Sequence, residues 1–139
     1  MLLEHHLPPD HSMVAPLRHQ VARELADQAS PQLVADALLV LSELTTNAIT
    51  AARLSTDDVV VRVRSPERDA LVVEVEDHGP GFQLDRLTRR VSGNQAHGRG
   101  LKIVEAVADD VRVDRFHERT RVRALLRRHE AFELAGDLE

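Results

Sequence analysis

Glu43 and Asn47, in the segment SELTTNA, stand four residues apart in a stretch of helical periodicity. Four residues turn a helix about 40° past one revolution, so both side chains project into the same space. A carboxylate there can polarise a hydroxyl or a water, and a carboxamide oxygen is a hard ligand suited to Mg2+. The same spacing also fits an ordinary solvated helix face. Asp77, in VEVEDHGPGF, shares the parity of Leu71, Val73 and Val75, which aims its carboxylate toward the core side at a strand's end. A carboxylate taken out of water needs a partner. No Lys or Arg shares that face of the strand, and the exocyclic amine of a ligand would serve. Gly79 and Gly81 let backbone approach a ligand closely, with Pro80 stiffening the turn between them, although a plain strand-end turn uses the same residue types. The third cluster, GNQAHGRG from Gly93 to Gly100, leads into Leu101 and a short helix. Free amides at a helix start, with glycines before them, suit a polyphosphate; a glycine-rich connecting loop has the same composition. It is not a P-loop, because Arg99 and Gly100 occupy the places of Lys and Ser/Thr and no strand is expected before it.

The elements that hold these clusters follow from periodicity. Residues 2–7 read as an edge strand ended by Pro8 and Pro9. Ser12 is placed to cap a helix through Leu17, Val21 and Leu25. Ser30 and Pro31 open a long helix, about Gln32 to Arg53, with Leu33, Ala37, Leu41, Leu44, Ala48 and Ala52 along one stripe. The period then falls to two. Val59, Val61 and Val63 alternate with Val60, Arg62 and Arg64; after a turn at 65–69, Leu71, Val73 and Val75 alternate with Val72, Glu74 and Glu76. Residues 78–97 lack a clear period and read as a loop. A helix from Leu101 to about Ala108 and two strands, through Val111/Val113 and Val122/Ala124/Leu126, complete the pattern. The order β-α-α-β-β-loop-α-β-β predicts an α+β fold, a mostly antiparallel sheet covered on one face by helices. One domain over 1–139 is expected, with its core at about 17–127 and a polar tail at 128–139.

Composition narrows the functions. There is no cysteine among the 139 residues, which excludes disulfides, thiolate metal sites and a cysteine nucleophile. Aromatics are 2%, without Trp or Tyr, so a base-stacking platform is not expected. The formal net charge of -5 disfavours general binding to nucleic-acid phosphates. The eight histidines show no ligand spacing on one element. No continuous apolar run approaches about 18 residues and no leader pattern opens the chain, so a cytoplasmic protein without a membrane span is expected.

The three clusters occur in a fixed order: E-x-x-x-N on a long helix, D-x-G-P-G after a strand, then G-x-G-L opening a helix. In this order the chain resembles the GHKL (Bergerat-fold) ATPase superfamily, with SELTTNA as its N box, DHGPGF as its G1 box and GRGLKIV as its G2 box. The resemblance covers about Leu17 to Arg127 and implies a two-layer α/β sandwich of Bergerat type. Within the superfamily the chain is most similar to small RsbW-type anti-sigma-factor serine/threonine kinases of the actinobacterial kind. That choice expects a bare ATPase domain, without a transducer domain or a phosphoacceptor helix of histidine-kinase type, and rests on a short segment between Asp77 and Gly98.

The resemblance implies roles. Glu43 would be the general base and Asn47 would coordinate Mg2+. Asp77 would accept from the adenine amine, with Thr120 among the adenine-side hydrogen bonds. Gly79 and Gly81 would lie against the nucleotide. Gly98, Arg99, Gly100 and Leu101 would hold the phosphates. ATP and Mg2+ are thus the implied cofactors. A sigma factor, an anti-sigma-factor antagonist phosphorylated on serine or threonine, and a second copy of the chain are the implied partners. Three positions depart from the family: Ala51 and Ala52 follow the N box where a basic residue or His is common, Arg119 replaces a Gly before Thr120, and Arg18 lies near a partner-binding arginine without matching it. The Arg62/Arg64 face and Arg86, Arg89 and Arg90 are candidate contacts for acidic partners, or simply a solvated charged surface. Two other readings stay open: a nucleotide-binding switch without phosphoryl transfer, and the detached ATPase domain of a two-component histidine kinase.

Overall fold

Ten elements follow one another in the computed structural model, which describes residues 1–52, 57–78, 84–90 and 101–128. They are β1 (Leu2–Leu7), a 3-10 turn (His11–Met13), α1 (Val14–Leu25), α2 (Pro31–Ala52), β2 (Val59–Arg64), β3 (Ala70–Asp77), β4 (Leu84–Arg90), α3 (Lys102–Val107), β5 (Asp110–His117) and β6 (Arg119–Arg127). The strands form one six-stranded sheet in the order β1-β2-β3-β6-β5-β4. Every neighbouring pair is antiparallel. The last strand in sequence therefore lies in the middle of the sheet.

Alternation decides which sheet face meets the helices. The register aligns Val61, Val75, Val122 and Val113 in one row across four strands. The next row holds Val63, Val73, Ala124 and Val111. These residues are buried in one cluster with Leu17, Val21 and Leu25 of α1 and the α2 stripe. Removal of this much aliphatic surface from water is the main force holding the helices to the sheet. By length and composition α2, at 22 residues, would also pass for a membrane span. Here its apolar stripe, from Leu33 to Ala52, lies in the core. The helix starts as expected, with Ser30 Oγ accepting from the Leu33 amide at 3.2 Å.

Two expectations fail. Asp10, not Ser12, caps the first helical segment: its carboxylate accepts from the Ser12 amide at 2.9 Å, and Ser12 itself lies inside the 3-10 turn. Both residues are good caps, but the turn before α1 shifts the exposed amides two positions upstream. The stretch 78–97 is also not all loop, since β4 occupies Leu84–Arg90 and pairs with β5. Arg86, Arg89 and Arg90 thus belong to an edge strand, and a strand does precede the Gly93–Gly100 cluster.

The face turned away from the helices is a lattice of charges. Arg62 donates to Glu4 at 2.7 Å, Glu74 at 2.9 Å and Glu76 at 3.2 Å. Its pKa is raised, chiefly by the hydrogen bond to Glu4. Glu4 in turn is held below the usual carboxylate range by hydrogen bonds from His6 and Arg62. On the other half of the sheet Asp114, 0% exposed, accepts from Arg121 and Arg123 at 2.9 and 3.2 Å.

Candidate functional site

The valine rows end in polar residues. One step past Val75 and Val122, Asp77 and Thr120 are direct cross-strand partners on β3 and β6. They keep the parity of the valines and face the helix layer, with only 2% and 4% of their surfaces exposed. Arg115 of β5 continues the same row opposite Thr120. A carboxylate, a hydroxyl and a guanidinium thus share one edge of an otherwise aliphatic surface. The sequence pointed to the first two. Arg115 was missed, although its parity with Val111 and Val113 signalled the same face.

Glu43 and Asn47 lie one turn apart on α2, both half-buried, beside the stripe that packs on the sheet. Because α2 packs on β3 and β6, the helix pair and the strand pair sit on contacting elements. The helix is anchored from its other side by Arg18 of α1, which donates to Ser42 Oγ at 2.9 Å and to the Leu38 carbonyl at 3.4 Å. Ser42 precedes Glu43, so this contact fixes the rotation of the turn that carries the carboxylate.

Among the described residues, three buried polar atoms in this region lack a hydrogen-bond partner: Thr45 Oγ1, Asn47 Nδ2 and His78 Nδ1. Thr45 and Asn47 are on α2, and His78 directly follows Asp77. Such orphans are uncommon, since an unpaired buried group costs about 1–3 kcal/mol. Asn47 Nδ2, one turn from Glu43, and His78 Nδ1, next to Asp77, fit a ligand that supplies the missing partners, whereas Thr45, about 200° around α2 from Asn47, is fully buried. Thr45 and His78 were not anticipated; a Thr inside a helix and a His after a strand carry no special spacing.

Leu101 is fully buried and in the core, as is Val104 on α3, which packs on α2. The Leu101 carbonyl accepts from the Glu105 amide at 2.8 Å. This residue therefore ties the end of the GRGL segment to the core. Gly79, Gly81, Gly98, Arg99 and Gly100 lie outside the described residues. Arg119, the departure beside Thr120, belongs to the opposite sheet face, where it donates to Glu76 at 3.3 Å.

Comparison with solved structures finds the same architecture. The crystal structure of the RsbU and RsbW domains of Rv1364c from Mycobacterium tuberculosis matches at a TM-score of 0.70 and 19% identity, covering 91% of this chain. The chain spans about a third of the length of that structure, 32%. No curated protein matches the sequence. A family model described as histidine kinase-like ATPase domain matches residues 7–126, from the last residue of β1 almost to the end of β6. That match takes in β2 to β6, the described helices and both polar pairs, and the chain belongs to the histidine kinase-like ATPase domain family.

Proposed function

We propose that this domain binds ATP with Mg2+ and acts as an anti-sigma factor kinase, sequestering a sigma factor and phosphorylating a serine or threonine on an antagonist protein. The observation that carries the reading is the buried pair Asp77 and Thr120, a carboxylate and a hydroxyl closing the end of apolar strand rows. A carboxylate in such a place selects a ligand that donates, as the adenine amine does and guanine at that ring position does not. Thr120 adds a second hydrogen-bonding group on the same side. The family membership and the fold shared with a structure containing an RsbW domain support the same reading.

The residues present suit the cofactors. Asn47 offers a neutral hard oxygen on a carboxamide whose nitrogen has no partner among the described residues. Asn47 would hold Mg2+, which would supply positive charge to offset the charge that develops on the phosphates. Glu43, one turn away, would accept a proton from the attacking hydroxyl. Gly79 and Gly81 give backbone access beside the nucleotide, and Gly98, Arg99, Gly100 and Leu101 supply the phosphate cradle. A homodimer in the cytoplasm is the form in which we expect the protein to act, as one domain over 1–139.

The test has two steps. Calorimetric titration with ATP and Mg2+ decides nucleotide binding. Affinity capture with and without ATP, read by mass spectrometry, then identifies the partners, and labelled ATP reports transfer to them. Binding without transfer to any captured protein would leave a nucleotide switch in place of the kinase.

A further inference from the structure

The sheet face opposite the helices carries an open groove of about 640 Å3 near the turn between β2 and β3. Its floor is apolar. Val72 and Leu125 are cross-strand partners on β3 and β6 and form the centre, with Pro66 at the turn end. Guanidinium groups surround this floor. Arg64 lies opposite Val72 on β2, Arg123 and Arg127 flank Leu125 along β6, and Arg112 faces Arg123 from β5. The lining holds only two carboxylates, Glu67 and Asp110, so the groove is positive on a chain of net charge -5.

The ion pairs of the lining leave an excess of two arginines over carboxylates, since Asp110 takes Arg112 at 2.9 Å and Glu67 takes Arg127. Arg62, expected with Arg64 to meet acidic partners, is occupied by Glu4, Glu74 and Glu76. Arg64 differs: it is exposed and makes no ion pair among the described residues. Arg123 is held in place by buried Asp114, which serves Arg121 as well. Arg127 pairs with Glu67 at 3.3 Å, but both are more than half exposed, and such a pair exchanges easily for another partner.

We propose that this groove docks an acidic segment of a partner protein, with an aliphatic side chain over Val72 and Leu125 and carboxylates on the flanking arginines. The strand geometry sets the pattern. Arg123, Leu125 and Arg127 share one face at intervals of two residues, about 7 Å. An extended segment reading acid-x-leucine-x-acid has the same interval and matches them one for one. The groove is shallow and spans four strands, which suits a peptide backbone better than a small molecule that must be enclosed. The face is remote in chemistry and in side from Asp77 and Thr120, so the inference does not rest on nucleotide binding.

Fluorescence anisotropy of the full chain with a labelled peptide, Glu-Ser-Leu-Ser-Glu, tests it. The peptide should bind, and binding should weaken as salt is raised. Replacing its Leu by Ser or its Glu residues by Lys should weaken binding at least about tenfold, as should Arg64→Glu or Arg127→Glu in the protein. Both protein variants change exposed side chains, and ATP binding identical to wild type would show an intact fold. Leu125→Ser should weaken the leucine peptide and leave the serine peptide unchanged. Failure of the peptide to bind, equal binding of the Lys peptide, or full affinity in Arg64→Glu would overturn the proposal. So would sedimentation showing that Arg64→Glu splits a dimer, because the groove would then belong to a second copy.

Discussion

Asp77 and Thr120 stand directly opposite each other on β3 and β6, both buried and both turned toward the helices. In the proposed adenine site this cross-strand pair would act on one ligand group together. Asp77→Asn keeps the shape and loses the charge. It should weaken ATP binding by roughly 1.5–3 kcal/mol, the value of a charge-assisted hydrogen bond. Thr120→Val should cost about 1 kcal/mol. Calorimetry with ATP checks both, and unchanged affinity in Asp77→Asn would remove the adenine assignment.

Glu43 and Asn47 are neighbours with different proposed tasks. Asn47→Ala should weaken nucleotide binding in Mg2+ and have little effect in EDTA, because the proposed task of Asn47 is to hold the metal in the ground state. Glu43→Gln should leave Mg-ATP affinity within a few-fold and slow phosphoryl transfer about 100- to 10,000-fold, since a base acts mainly in the transition state. Transfer by Glu43→Gln at the wild-type rate would reduce Glu43 to part of a solvated face.

Asp114 is the fully buried anchor of two arginines on the outer sheet face. Asp114→Ala leaves Arg121 and Arg123 side by side without their shared carboxylate. A loss of about 3 kcal/mol is expected, the lower end for breaking a buried ion pair, because both arginines reach water. Urea unfolding measures it; a loss below 1 kcal/mol would mean the arginines re-pair elsewhere.

Asp10 gives a pH signature. The Ser12 amide, followed by the Ser12 side chain, lowers its pKa from the ordinary aspartate value. A depressed carboxylate stabilises the fold above its unfolded pKa, and that contribution disappears as pH falls through the lower folded value. Wild type should therefore melt above Asp10→Ala at neutral pH, with the gap closing only below the ordinary aspartate range near 3.9. Thermal melts across acid pH decide it, and a gap that persists at the lowest pH would show that the carboxylate charge is not involved.

Much of this architecture was legible because it rests on two periods. The α2 stripe and the valine alternations of β2, β3, β5 and β6 put the residues they name on the core side, although Leu38, Val40 and Ile49 of α2 join the core from outside that stripe. β4 was not legible for a physical reason. Its register shifts between Leu84 and Leu87, so two leucines on a paired strand sit three residues apart and break the period of two. Asp77 and Thr120 were reachable by parity and by motif, and Arg115 by parity alone. Thr45 was hidden, since only packing reveals that a helical threonine has lost its hydrogen-bond partner. The mutual neutralisation around Arg62 was equally invisible, because it depends on cross-strand register among β1, β2 and β3.

The central position of β6 governs the order of assembly during synthesis. Until residues 119–127 have left the ribosome, β3 and β5 each present an unfilled edge, and no earlier strand can fill the gap. Unfilled edges are sticky, so the nascent domain passes through a stage in which it is most open to intermolecular pairing. A truncation within β6 would split the sheet into two parts, β1-β2-β3 and β5-β4, whereas loss of β1 would remove only a margin. Among the described strands β6 is the one that joins the two parts, and it also sets Thr120 opposite Asp77. The sheet and the proposed nucleotide pocket are completed in the same step.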